Sequence, residues 1–246
     1  MSDRLLLRVY GDSLSLPRPA DGVLHGDVYP ELLRDALESA HPGLRVSVWN
    51  RSRGGASIAD LHESYRQDSA YFDPTEPSIL VIQCGIVDCA PRPVPPSVRE
   101  RIGRLPTPLR WLVAKFLHFA RPFLLRAGIR WRATESDDFE TRLLAWIEGA
   151  RAGAARVYVV NIAPTVPAID AHSPGLADSI HAYNEAIQRA ASASGATLID
   201  VFGAIQAQPG GTGGYINPRD GHHISRQGHG LYADLLLAAE AAAVRR

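Results

Sequence analysis

Two short polar clusters in this sequence hold residue types that do chemistry together. Gly11-Asp12-Ser13-Leu14 closes the first apolar run, and Asp220-Gly221-His222-His223 lies near the other end of the chain. A serine hydroxyl is a weak nucleophile until a base takes its proton, and histidine titrates in the right range to do so. A carboxylate that holds the imidazole completes the arrangement. Asp220 stands three residues before His223 and can reach that ring within a turn. On chemistry alone, either His222 or His223 could be the base. Each cluster is weak by itself. A capped turn explains Asp12 and Ser13, and a surface turn explains Asp220 and the histidines.

The elements that must bring the clusters together are legible in the apolar pattern. Short β-branched runs at residues 5–10, 44–49, 78–84, 156–161 and 197–202 read as strands. Helical patterns cover 27–40, 58–70, 138–152 and 176–194, and a last Ala-rich helix starts at 225. Asp27 is a candidate N-cap, and Pro30 is tolerated in the first turn. Continuously apolar strands alternating with helices argue for a parallel sheet covered on both faces. Ligands then bind outside the carboxyl ends of the strands. Ser13 follows the first strand and the Asp220–His223 pair follows the last, so both belong at one edge.

That pairing resembles the SGNH hydrolase superfamily, also called GDSL esterases and lipases. The resemblance covers most of the chain except about residues 90–136. It implies a flavodoxin-like three-layer α/β/α sandwich with a five-stranded parallel sheet. On the matched motifs it implies that Ser13 is the nucleophile, His223 the base and Asp220 its partner. Residues 221–233, with Gly228 and His229, are similar to the family's C-terminal block. Asn50, Ser52, Gly54, Gly55, Ala56 and Ser57 follow the second strand. Gly55 matches the family's oxyanion glycine, and the Ser13 amide would be a second donor.

The third block departs from the pattern. Where the family has Gly-x-Asn-Asp, this chain has Gly85-Ile86-Val87-Asp88. Val87 offers no side-chain donor, and losing one oxyanion donor costs about 100- to 1,000-fold in rate. Arg53, Gln83 and Arg92 lie near matching strand ends and are candidate substitutes. The resemblance implies hydrolysis of a carbohydrate, lipid or small-metabolite ester through an acyl-enzyme, with sugar O-deacetylation the first reaction to test. An alcohol acceptor in place of water would make the same triad an acyltransferase. A non-catalytic ester- or glycan-binding protein is the rival that Val87 favours. No metal or organic cofactor is needed.

Residues 90–136 interrupt the strand–helix rhythm. The stretch opens Pro-rich, and residues 99–132 hold eight arginines and Lys115 against one acid, Glu100. Residues 109–119 and 122–129 read as two short helices. The segment is expected to be a cap or lid inserted in a single domain spanning 1–246. As a structural cap it would pack Trp111, Phe116, Phe119, Phe123 and Trp131 inward. As a lid, its aromatics would meet an acyl chain or sugar and its arginines an anion. A third reading is weak contact of residues 99–132 with an anionic membrane surface.

Composition narrows the remaining classes. The chain has 246 residues, 46% apolar and 21% charged, with a formal net charge of zero, so nothing global points to nucleic acid. Cys84 and Cys89 are too few for a disulfide framework and read as free thiols. The first ten residues lack the features of a secretory signal, and no apolar stretch reaches membrane-spanning length. The expected location is the cytoplasm.

Overall fold

The five apolar runs pair side by side into one all-parallel sheet. The computed structural model describes residues 4–153 and 155–245. The strands are β1 (Arg4–Gly11), β2 (Arg45–Asn50), β3 (Ser78–Gln83), β4 (Arg156–Val160) and β5 (Thr197–Ile199). Their order is β2-β1-β3-β4-β5. The chain leaves β1 toward β2 on one side and later returns to β3 on the other. That reversal opens a crevice at the carboxyl end of β1, where this class of sheet binds its ligands.

Ten helices complete the described chain: α1 (Tyr29–Ala40), α2 (Ile58–Ser69), α3 (Ile86–Cys89), α4 (Pro96–Gly103), α5 (Thr107–Arg126), α6 (Ser136–Ala152), α7 (Ala168–His172), α8 (Leu176–Ser194), α9 (Val201–Gln206) and α10 (Arg226–Val244). Alternation along the strands sends successive side chains to opposite faces. Tyr10, Leu80, Ile82 and Val159 meet α2, α6 and α8 through Leu61, Trp146 and Tyr183. Leu7, Val9, Val81 and Val160 meet α1, α9 and α10 through Leu33, Ile205 and Leu236. Each such buried side chain contributes roughly 1.5–3 kcal/mol. The two faces together make the expected α/β/α layers around a five-stranded parallel sheet. Cys84 and Cys89 are buried free thiols.

Three element boundaries differ from the sequence reading, each for a local reason. Asp27 does not cap α1, which begins after Val28. Its carboxylate instead accepts the Leu24 amide at 2.8 Å and pairs with Arg226. The first amide of α1, at Tyr29, donates to His229 Nδ1 at 3.1 Å. β5 stops at Ile199 because Asp200 caps α9, accepting the Gly203 amide at 2.9 Å. The two short helices expected around Pro122 are one continuous α5. Leu117 and Arg121 face the cleft and Leu125 is buried, so one inward stripe runs through the proline at four-residue spacing.

The large aromatics of the insertion do not pack inward. Trp111, Phe116, Phe119, Phe123 and Trp131 are all exposed, Phe119 by 77%. The side of α5 turned toward the domain carries Leu117, Arg121 and Leu125 instead.

Candidate active site

The loop after β1 is built around close contacts. A Cβ at Gly11 would collide with the Ser15 hydroxyl, so only glycine lets the chain turn there. Asp12 is fully buried, and its carboxylate accepts the Leu14 amide at 2.9 Å. Burial pushes that carboxyl up to about 7. The short 3-10 turn Ser13–Ser15 that follows leaves Ser13 half-buried at the strand's carboxyl edge.

The last loop brings the second cluster to the same place. Ser225 caps α10 by accepting the Gly228 amide at 3.1 Å, which fixes the loop's exit. Asp220 Oδ1 accepts the amides of His222 and His223 at 3.1 and 3.0 Å. Its Oδ2 lies 2.9 Å from His223 Nδ1. His223 Nε2 in turn lies 2.9 Å from Ser13 Oγ. Positions 210 residues apart thus form one hydrogen-bonded chain. The structure also resolves which histidine faces the serine. His222 packs beside the His223 ring at 4.1 Å between centroids, and its Nδ1 contacts the Asp220 carbonyl oxygen.

The electrostatics favour a neutral imidazole at rest. Burial holds the His223 pKa below the ordinary histidine value. His222 and Arg18 add repulsion to the protonated ring, against the pull of Asp220. Burial alone would raise the Asp220 pKa, but the His223 and His222 amides outweigh it and keep the carboxylate ionised below its usual range.

The glycine loop sits beside Ser13. Asn50 ties it to the first loop, donating from Nδ2 to the Ser15 carbonyl at 3.0 Å and accepting the Ser52 amide at 3.0 Å. Gly55 has φ +75°, a conformation that side chains rarely adopt, and it lines the same cleft as Ser13. Asp88 holds the loop from behind. Its carboxylate accepts the Ile58 amide at the start of α2 and the Thr134 hydroxyl. Burial raises that carboxyl to about 6.

Val87 lines the same cleft as Ser13 and Gly55. Of the three candidate substitute donors, Arg53 turns away to pair with Asp60 at 3.1 Å and does not line the cleft. Gln83 is buried, its Oε1 accepting the Ser15 hydroxyl at 2.8 Å, and it does not line the cleft. Arg92 alone lines the cleft, with Nη2 donating to the Val87 carbonyl at 2.7 Å. The cleft has a volume of about 630 Å³ and runs from Ser13 beneath α5.

Sequence reasoning missed Arg18. Its Nη2 donates to Asp220 Oδ2 at 3.1 Å, its Nη1 reaches His223 Nε2, and its Nε pairs with Asp21. Five residues beyond the serine, it carried no signal of its own. Asp220, His222 and His223 offer ligand atoms within 4.8 Å of one another, a set able to hold a metal ion. Those atoms are already engaged in the loop's hydrogen bonds.

A serine, imidazole and carboxylate in hydrogen-bonded sequence at the β1 edge of a 2-1-3-4-5 parallel sheet define an SGNH-type hydrolase. Residues 9–231 match the GDSL-like Lipase/Acylhydrolase family, and the chain belongs to that family of ester hydrolases. No curated protein matches the chain. Solved structures share its fold. A lipase/acylhydrolase from Enterococcus faecalis superposes with a TM-score of 0.65 at 15% identity, covering 95% of this chain and 94% of that one. The acetyl xylan esterase AlAXEase gives 0.61 at 19% identity, covering 95% and 98%. The esterase EstA from Pseudoalteromonas sp. gives 0.57 at 14% identity, covering 98% and 99%.

Proposed function

We propose that this ester hydrolase works through an acyl-enzyme on Ser13. Ser13 Oγ attacks the ester carbonyl as its proton passes to His223 Nε2. Asp220 holds the ring and stabilises the imidazolium. The Gly55 and Ser13 amides bond the oxyanion. His223 then gives its proton to the departing alcohol, takes one from water, and the resulting hydroxide releases the acid. The observation that carries this reading is the pair of 2.9 Å contacts linking Ser13, His223 and Asp220. The substrate class is a carbohydrate, lipid or small-metabolite ester, and O-deacetylation of a sugar is the leading case.

Acetate release from p-nitrophenyl acetate and from an acetylated sugar tests it. The native chain should release acetate from both, and Ser13→Ala should lose more than about a thousandfold. Val87 favours a second reading, a binder that holds esters without turnover. Saturable binding with no acetate release by the native chain would support it.

Residues 90–136 act in this reading as a lid over the cleft. The outer face of α5 combines Trp111, Phe116, Phe119 and Phe123, all exposed, with Lys115 and Arg126. That combination suits the surface of an anionic bilayer, rings in the interface and cations at the headgroups. No described helix is long and apolar enough to cross a membrane.

A further inference from the structure

The cleft beside Ser13 is charged in a way that ester hydrolysis does not require. Arg92, Arg99 and Arg121 all line it, together with His118, His172 and His222. Its one acid is Asp220, which is already bound to His223 and Arg18. Among the described residues, no carboxylate forms an ion pair with Arg92, Arg99 or Arg121.

Two of these guanidinium groups are anchored by neutral partners only. Arg92 donates to the Val87 carbonyl and Arg121 to the Pro91 carbonyl at 2.8 Å. A single carbonyl uses one of five N–H groups and none of the charge. Arg121 Nε is buried with no hydrogen-bond partner at all. Such a donor carries the desolvation penalty that a bound acceptor would remove. The three cations also repel one another. Burial lowers the pKa of both Arg92 and Arg121 and the Arg99 charge lowers each further, while the Asp88 carboxylate behind the loop offsets part of this at Arg92 without pairing with it. Folded proteins pair such groups internally or leave them for a ligand. The same cleft also has apolar walls, from Ile86, Val87, Ala90, Leu117 and Ile169.

We propose that Arg92, Arg99 and Arg121 form an anion site, and that the preferred ester carries a carboxylate or phosphate on the part lying beneath α5. This rests on the Ser13 reading, because the anion site serves a substrate whose carbonyl lies at Ser13. The guanidinium fork binds either anion in bidentate fashion. The apolar walls of the cleft accommodate a short carbon chain.

Paired esters test the site and separate its two anion chemistries. Mono-p-nitrophenyl glutarate is compared with p-nitrophenyl pentanoate, and 1-acetylglycerol 3-phosphate with 1-acetylglycerol. In at least one pair, the anionic member should have a kcat/KM about tenfold or more higher. The carboxylate pair or the phosphate pair then identifies the anion. Arg99→Gln, an exposed position, and Arg121→Gln should bring that ratio close to one. Ratios near one in the native chain, or ratios that survive both substitutions, overturn the proposal. A calorimetric arm is independent of turnover. Glutarate or inorganic phosphate should bind the native chain and Ser13→Ala, and bind Arg99→Gln at least about tenfold more weakly. Absence of binding to the native chain also overturns the proposal. If neither ester of any pair turns over yet the anion binds, the Ser13 reading fails and the site stands.

Discussion

Arg18 places Nη1 3.1 Å from His223 Nε2, the same nitrogen that lies 2.9 Å from Ser13 Oγ. A guanidinium has no acceptor, so it donates to the ring. That contact and the lowered pKa both favour a neutral His223 with its proton on Nδ1 toward Asp220. In the proposed mechanism the Ser13 proton would arrive at Nε2 and meet Arg18, which would have to draw back. Arg18 thus opposes the protonated form of the base while also bonding Asp220.

The pH profile of kcat/KM should report this. The base works when neutral, and its pKa is lowered, so the acid limb should fall below the ordinary histidine value of about 6.5. Arg18→Gln removes a charge that disfavours the imidazolium. The base then protonates at higher pH, and the acid limb should move up. A limb that stays in place or moves down would show that Arg18 acts only as a structural tie.

Val87→Asn should raise kcat toward neutral esters, because it adds a side-chain donor where Val87 has none. A donor of this kind is worth about 2.7–4 kcal/mol where it is fully formed, so a gain of about tenfold is the expected minimum. Steady-state rates on p-nitrophenyl acetate check it. No gain in Val87→Asn, together with a loss in Arg92→Gln, would assign the third donor to Arg92, which already bonds the Val87 carbonyl.

Trp146 should be the costliest single truncation in the core. It is fully buried, meets Tyr10 edge-on at 5.9 Å and stacks on His62 at 5.4 Å. Trp146→Ala should lose about 3–5 kcal/mol in urea unfolding with m unchanged. Its indole N–H makes no hydrogen bond, so Trp146→Phe should cost far less.

The outer face of α5 should bind vesicles containing phosphatidylserine and release them as salt rises. Phe116→Ser with Phe119→Ser should weaken sedimentation with those vesicles several-fold and leave the melting temperature nearly unchanged, since both rings are exposed. Equal binding to neutral vesicles would contradict an electrostatic contact.

What the sequence made legible was what periodicity and motif spacing encode. The strands showed as unbroken apolar runs because the sheet is buried on both faces, and Gly-Asp-Ser-Leu and Asp-x-x-His marked the two loops that meet. The helix ends were less legible because they depend on partners far along the chain. The first amide of α1 is satisfied by His229, 200 residues away, and not by neighbouring Asp27. Pro122 read as a break because its local effect is strong, yet the stripe from Leu117 through Arg121 to Leu125 carries the helix past it. Arg18 was invisible because nothing in its flanking residues marks a side chain that reaches the last loop. Whether the aromatics of 107–131 pack, line the cleft or face outward stayed open in the sequence because composition does not say which side of a helix the core occupies.

Intact-mass analysis after treatment with a fluorophosphonate tests the central claim most directly. The account predicts one phosphonyl adduct, mapped by peptide sequencing to Ser13 and absent from both Ser13→Ala and His223→Ala. An unmodified native chain, or an adduct that persists in Ser13→Ala, would contradict it.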